Sequence, residues 1–287
     1  MKEFEQYLSE RYAPSTVKMY LREVAIYLKA VHADQASYAE VMDYVGQLRE
    51  RNYAVNNIRR IMASIRVYHQ FLVETGVRMD NPCSMLFTLR DQPTPRPLHS
   101  LFSPSELKAL LYRENRYGST IVRNKVLLGL LIYQGLSVQE LVNLQVREVD
   151  LTRAMVHVRH SRKHAARDLP LEASQIMDLQ TYIHRDRPAL LDGKTQTTTL
   201  LLNMRGRGIT ADDVHYLVST YAWFYPDRQL TAGSIRASVM VNKLKQGEDI
   251  SSVQYFGGFK WLSSVERFKP SDISRLLSMI DDFHPMR

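Results

Sequence analysis

The sequence predicts a mainly α protein in two parts: an N-terminal group of helices, then a mostly α domain carrying a small antiparallel β-sheet. Three observations predict it. Apolar residues recur at helical spacing through most of the chain, and three of these runs open on a Ser-x-x-Glu capping pattern, at Ser37–Glu40, Ser103–Glu106 and Ser137–Glu140. Strict alternation appears at "AMVHV" (154–158) and "RDLPL" (167–171), on either side of a polar stretch. A segment with three prolines and no apolar period, "DQPTPRPLH" at 91–99, separates the two parts.

The first ninety residues read as four helices. Pro14-Ser15-Thr16 opens a run with Val17, Tyr20, Leu21, Val24 and Leu28 on one face. Ser37 and Glu40 precede Val41, Tyr44, Val45 and Leu48. In "VNNIRRIMASIRVYHQFLVETG" the apolar stripe is Ile61, Ile65, Tyr68 and Leu72, and Gly76 is placed to end the helix in a left-handed conformation. Arg59, Ala63, Arg66 and Gln70 lie on its opposite face, which suits either a phosphate backbone or solvent.

In the second part, Pro104 takes the first helical position after Ser103. A helix over about 119–134 ends at Gly135, and Ser137–Glu140 starts the next. The alternating segments form a hairpin. Helices are expected at about 173–185, 210–222, 231–246, 249–256, 262–268 and 271–282.

Composition narrows the function. Hydrophobic content of 45% and charged content of 24% are ordinary for a globular chain, and the longest strongly apolar run, "VLLGLLIY" at 126–133, is too short to span a bilayer. The acidic, amphipathic "MKEFEQYLSE" does not read as a signal peptide, so a cytoplasmic protein without a membrane partner is expected. The single cysteine, Cys83, excludes an internal disulfide framework and a cysteine-based zinc site. A net charge of +8 and a pI near 9.5 favour an anionic partner, with nucleic acid first. The charge is uneven: 6 Lys+Arg against 8 Asp+Glu in residues 1–50, 7 against 3 in 51–100, and 25 against 19 in the remainder.

Four stretches invite a chemical reading. The hairpin tip "RHSRKHAAR" (159–167) holds Arg159, Arg162, Lys163 and Arg167, a set that suits a phosphate backbone or a groove, or else a solvated turn. Its His160 and His164 have no carboxylate nearby in sequence, so no metal site is expected, and no cofactor. "LTAGSIRAS" (230–238) puts Arg236 in the first turns of a helix, placed for a phosphate or for an acidic partner. Ser137 reads as an N-cap, since a nucleophilic serine needs a base that the local sequence does not supply. "SSVERFKPSD" (263–272) sets Phe268 between Arg267 and Lys269, at the entry to the last expected helix.

Taken in order, these segments resemble the tyrosine recombinase (phage integrase) family, most closely its Xer-like members. "YLSERYAPSTVKMYLREV", the Arg59–Arg66 helix and "NP" at 81–82 are similar to that family's helical, SAM-like core-binding domain. "LLGLLIYQGLSVQELVNLQVREVD" is similar to its "GLR-x-SEL" helix pair, and "VHVRHSRKHAARDLPL" to the hairpin with the catalytic lysine. "LTAGSIRAS" stands where the family has "H-x-x-R-H", "DISSVQYFGGF" where it has "VQ-x-LLGH", and "SSVERF" where it has "TT-x-x-Y". The terminal "HP", with Pro285 seventeen residues beyond Phe268, is similar to the Xer ending. The resemblance implies a core-binding domain over 1–90, a linker over 91–102 and a recombinase-like domain over 103–287.

It also implies a mechanism: a tyrosine attacks a DNA phosphodiester to give a 3′-phosphotyrosyl bond, while two arginines and a lysine or histidine stabilise the charge and the leaving oxygen. Carried over, the first arginine falls on Ser137, the lysine on Arg162 or Lys163, the histidine on Gly233, the second arginine on Arg236, the late histidine on Phe259 and the nucleophile on Phe268. The expectation is a catalytically degenerate member that binds double-stranded DNA through Arg59, Arg66, Arg159, Arg162, Lys163 and Arg236. It would serve as an accessory or regulatory factor in DNA recombination or integration. Helix 271–282 would dock on another copy or on a catalytic recombinase. Two alternatives stand beside this reading: an active recombinase using Tyr255 (the one tyrosine after Arg236) or a tyrosine donated in trans, and an interaction module that has lost DNA binding.

Overall fold

The structure, a computed structural model, describes residues 1–33, 35–84, 101–112, 120–191, 193 and 196–268. Most of the expected linker at 91–102, Lys269 and the expected helix at 271–282 lie outside the described residues. The chain divides into two compact units, Met1–Thr94 and Pro95–Arg287.

Unit 1 contains α1 (Lys2–Arg11), α2 (Pro14–Tyr27), α3 (Tyr38–Glu50) and α4 (Val55–Glu74). Proline opens α2, and the Ser37–Glu40 capping box closes reciprocally at the start of α3. Gly76 follows α4 with φ +74°, the conformation expected of it. Phe4, Leu8, Val24, Tyr27, Val41, Ile61 and Ile65 fill the core.

One polar pair lies inside it. The Tyr27 hydroxyl meets His69 Nε2 at 2.9 Å, and both side chains are fully buried. Burial, then the charge of Arg78, lowers the His69 pKa to about 4 against Asp80, which raises it. The unfolded chain therefore takes up a proton near pH 6.5 that the folded chain refuses until about pH 4. Unit 1 is expected to lose stability as pH falls through that window, by about 2–3 kcal/mol. Melting curves between pH 7 and 4 check this, and His69→Gln should flatten the dependence.

Unit 2 starts with α5 (Pro104–Ala109), whose Ser103–Glu106 capping box is complete, and continues with α6 (Ile121–Ile132) and α7 (Val138–Asn143). A three-stranded antiparallel sheet follows: β1 (Val149–Asp150), β2 (Met155–Val158) and β3 (Arg167–Pro170), in that order. The hairpin was expected; β1 is too short for an alternating pattern. The β2–β3 register sets Val156 opposite Leu169 and Val158 opposite Arg167 on the buried face. On the exposed face His157 lies opposite Asp168, with Nδ1 2.6 Å from Oδ1.

The helix expected over 173–185 is α8 (Ala173–Thr181), a wider π turn over Tyr182–Asp186, and α9 (Arg187–Leu191). Buried Tyr182 accepts the Leu202 N–H on its hydroxyl, and Arg187 donates to the carbonyls of Thr197, Thr199 and Leu200, so the π turn sits where the chain is tied to the segment beyond. The remaining helices are α10 (Ala211–Ser219), α11 (Ala232–Lys245), α12 (Ile250–Gly257) and α13 (Ser263–Glu266). One core, built around Leu128, Leu130, Leu131, Val156, Leu169, Ile235, Met240 and Val265, holds α6, the sheet, α11 and α13 together. No described helix is long and apolar enough to cross a membrane.

Candidate functional site

Two of the positions named from the sequence, Ser137 and Arg236, meet in unit 2 at one buried carboxylate, Glu140. Its Oε2 accepts both the backbone N–H and the hydroxyl of Ser137 at 2.8 Å, completing the capping box of α7. Its Oε1 accepts from Arg167 Nη1 at 2.7 Å and lies 3.4 Å from His164 Nδ1. Arg236 Nη1 approaches Oε2 at 3.4 Å. Burial alone would raise the Glu140 pKa, but Arg167, then Arg236 and the Ser137 amide, hold it at about 2.

Ser137 is thus a cap, as its local sequence implied. Its hydroxyl donates to a carboxylate that weakly basic, which cannot activate a nucleophile. Ser137→Ala is expected to cost unit 2 about 1 kcal/mol by the loss of that cap, measurable in denaturant melts.

Arg236 was expected to face phosphate. Its guanidinium instead donates to the carbonyls of Gly135 and Gly257 as well as to Glu140, and its side chain is 11% exposed. Burial lowers its pKa to about 10, opposed by Glu140, which leaves it charged at neutral pH. The turn that follows α6 and the last residue of α12 place those two carbonyls. Gly135 lets the chain reverse with φ +56°, where a Cβ would also press on Met240 and Phe256.

Arg167, read as part of the basic hairpin tip, is fully buried. Its side chain has 0% exposure and is spent on Glu140, on Phe256 O (from Nε, 2.7 Å) and on Ala165 O; among the described residues its Nη2 has no partner. Gly258 makes room for it: this left-handed C-cap of α12 has φ +66°, and a Cβ there would collide with Arg167 Nη1. Sequence reasoning missed Glu140, His164 and Arg167 as the heart of the site. For Arg167 the signal was present, because alternation puts it on the same face as Leu169 and Leu171.

The hairpin tip closes where Ser161 N–H donates to His164 O (2.8 Å) and His164 N–H to Ser161 Oγ (2.9 Å). That leaves Arg162 and Lys163 as a two-residue, exposed tip. The returning chain pairs His164 with Phe259, and Ala165 N–H donates to Gly258 O at 2.9 Å, so the tip is fastened to the end of α12. Arg159 corrects an expectation: it pairs with buried Glu148 and donates to Asn143 O at 3.0 Å, bracing the hairpin base beside a groove of about 390 Å³.

Phe259 and Phe268 close the site. Their ring centroids are 5.7 Å apart, and Phe259 also packs on Arg236 (5.0 Å to the guanidinium carbon) and edge-on to His164 (6.3 Å). Phe268 packs on the core. Gly233 is exposed in the first turn of α11, where a Cβ would meet Thr231 Oγ1 at 3.7 Å. Tyr255 is 57% exposed, and its hydroxyl lies 3.3 Å from Asp168 N and 3.5 Å from Asp168 O, on the sheet. His160 is exposed, and no group of three or more His, Cys, Asp or Glu among the described residues is placed to hold a metal.

In unit 1, Arg59 Nη1 reaches Asn56 Oδ1 at 3.5 Å, and its buried Nε has no partner among the described residues. Arg66 is half-buried and carries a structural load: its Nε donates to Cys83 O at 3.2 Å, while Asn81 Nδ2 donates to Arg66 O at 3.1 Å. These contacts hold residues 81–83 against α4.

A helical domain is thus followed by a helix-rich domain that folds a basic hairpin beside an arginine pocket. The chain belongs to the phage integrase family: the family's main domain matches residues 101–274 and its N-terminal SAM-like domain matches residues 1–76. It is similar to the tyrosine recombinase XerD of Staphylococcus saprophyticus, with 27% identity over 97% of this chain and 95% of the relative. Among solved structures, the Tn1549 transposon integrase in complex with transposon right end DNA matches with a TM-score of 0.70 at 15% identity, over 97% of both chains. The XerH site-specific recombinase bound to palindromic difH substrate, a post-cleavage complex, matches with a TM-score of 0.74 at 14% identity, over 94% of this chain and 79% of that one. At such identities the structural likeness carries the fold.

Proposed function

We propose that this protein binds double-stranded DNA without cleaving it, as an accessory or regulatory factor in site-specific recombination or integration. Family membership supports the DNA partner, as do relatives named tyrosine recombinases and neighbours solved on DNA. The net charge of +8 agrees with it.

The observation that carries the loss of cleavage is Phe268. Its ring occupies the nucleophile's place in the family pattern and packs on Phe259, without a hydroxyl to attack phosphorus. The same pattern loses a guanidinium at Ser137 and ring donors at Gly233 and Phe259. Removal of one charge-stabilising donor costs about 3 kcal/mol, which an enzyme can survive; removal of the nucleophile abolishes the covalent path. Tyr255, the alternative nucleophile, has its hydroxyl at the Asp168 main chain, while Arg236 turns to Gly135, Glu140 and Gly257. A second copy or a catalytic recombinase is the expected companion, through residues 271–282.

Gel shifts on duplexes from the protein's own genomic neighbourhood, across a salt series, test the reading. Specific binding that weakens steeply with salt is expected. Absence of binding to any duplex would favour an interaction module instead, and a covalent adduct lost in Tyr255→Phe would make the protein an active recombinase.

A further inference from the structure

We propose that the recombinase-like domain grips phosphate at a rim site formed by Arg267 with Arg162 and Lys163, and not at the pocket that holds Arg236. The inference rests on the DNA-binding reading above and adds where the backbone is held.

The pocket is already full of its own ions. Arg236 and Arg167 converge on Glu140, which supplies an internal anion where a phosphate would otherwise be recruited. Arg236 also spends donors on two carbonyls, and the Phe259 ring covers it. A phosphate entering there would meet the charge of a carboxylate fixed by a helix cap and a fully buried arginine.

The rim offers the opposite arrangement. Arg267 is exposed, and its guanidinium carbon lies 5.0 Å from the centroid of Phe268 and 5.9 Å from that of Phe259. No carboxylate among the described residues lies within ion-pair distance of it. Stacking on the two rings restrains a long side chain while leaving N–H edges for a phosphate, so less entropy is lost on binding. The His164–Phe259 pairing fastens the base of the two-residue tip to the Phe259 side of this pair, and Arg162 and Lys163 are likewise exposed, with no ion pair among the described residues. Arg267 thus lies over a platform made from two positions where the family pattern has a histidine and a tyrosine, and the tip that carries Arg162 and Lys163 is fastened beside it; none of the three has an acidic partner among the described residues. The aromatic character kept at 268 acquires a role that needs no hydroxyl.

The test compares wild type, Arg267→Gln, Phe268→Leu and Phe268→Tyr by duplex gel shift over a salt series, with thermal melts to confirm folding. Arg267→Gln should bind about tenfold more weakly near 0.1 M salt and lose about 0.9 from the slope of log K against log salt. Phe268→Leu should weaken binding about two- to threefold with the slope unchanged, since the cation remains and only its platform goes. Phe268→Tyr should bind as wild type. If the wild type binds duplex with a steep salt slope and folded Arg267→Gln keeps both affinity and slope, the rim site is wrong and the DNA-binding reading survives. If the wild type binds no duplex, both fall.

Discussion

Glu140→Ala is expected to lower the unfolding free energy of unit 2 by about 3–5 kcal/mol, the largest effect of any single substitution in the site. The carboxylate is 3% exposed and serves two arginines, a histidine and the cap of α7. Its removal leaves the fully buried Arg167 and the nearly buried Arg236 without a counter-ion. An uncompensated buried charge costs far more than a lost surface pair. Glu140→Gln should fall between, because the amide keeps an acceptor for Ser137 and loses the charge.

The same residue sets an acid limit. Its pKa is held at about 2 in the fold against 4.5 as the ordinary value. Its stabilisation is therefore complete above pH 4.5 and is lost as pH falls towards 2, by on the order of 3 kcal/mol. Urea melts of wild type and Glu140→Gln at pH 7 and pH 3 check both points. The gap between them should shrink at pH 3, and an equal gap at both pH values would contradict the counter-ion role.

Phe268→Tyr is expected to restore the missing hydroxyl and still yield no covalent DNA adduct. On the proposed reading, this chain has Ser137, Gly233 and Phe259 where the family pattern has its first arginine and two histidines. At roughly a hundredfold for each missing donor, even two such losses place the rate ~10⁴-fold below a complete site. Arg236 compensates poorly, because its Nη1 and Nη2 are already engaged by Gly135, Glu140 and Gly257. A strong adduct from Phe268→Tyr alone would show instead that the pocket still stabilises the transferring phosphate, and that one oxygen separates this chain from an enzyme.

Much of the fold was written in local chemistry. The capping boxes at Ser37, Ser103 and Ser137 start helices where the sequence puts them, because serine and glutamate three apart satisfy orphan amides without help from the rest of the chain. Alternation located β2 and β3, but β1 has two residues and owes its place to pairing with β2. The site was legible as a set of positions but not as a network. Arg167 sits in a run of basic residues and reads as solvent-facing until strand periodicity is applied to it. Arg159 and Arg66 gained partners distant in sequence, Glu148 and Cys83 O, that no local pattern announces. Glu140 looked like an ordinary cap partner, and its second role required two arginines from separate elements to be brought to it.

Binding without cleavage is tested most directly by one nicked suicide duplex, chosen from the sites that the protein shifts and run in parallel on native and denaturing gels. The account predicts a shifted complex on the native gel and no protein-linked DNA on the denaturing gel, for the protein alone. A denaturation-resistant adduct formed by the wild-type protein would contradict it, whichever tyrosine carried the DNA.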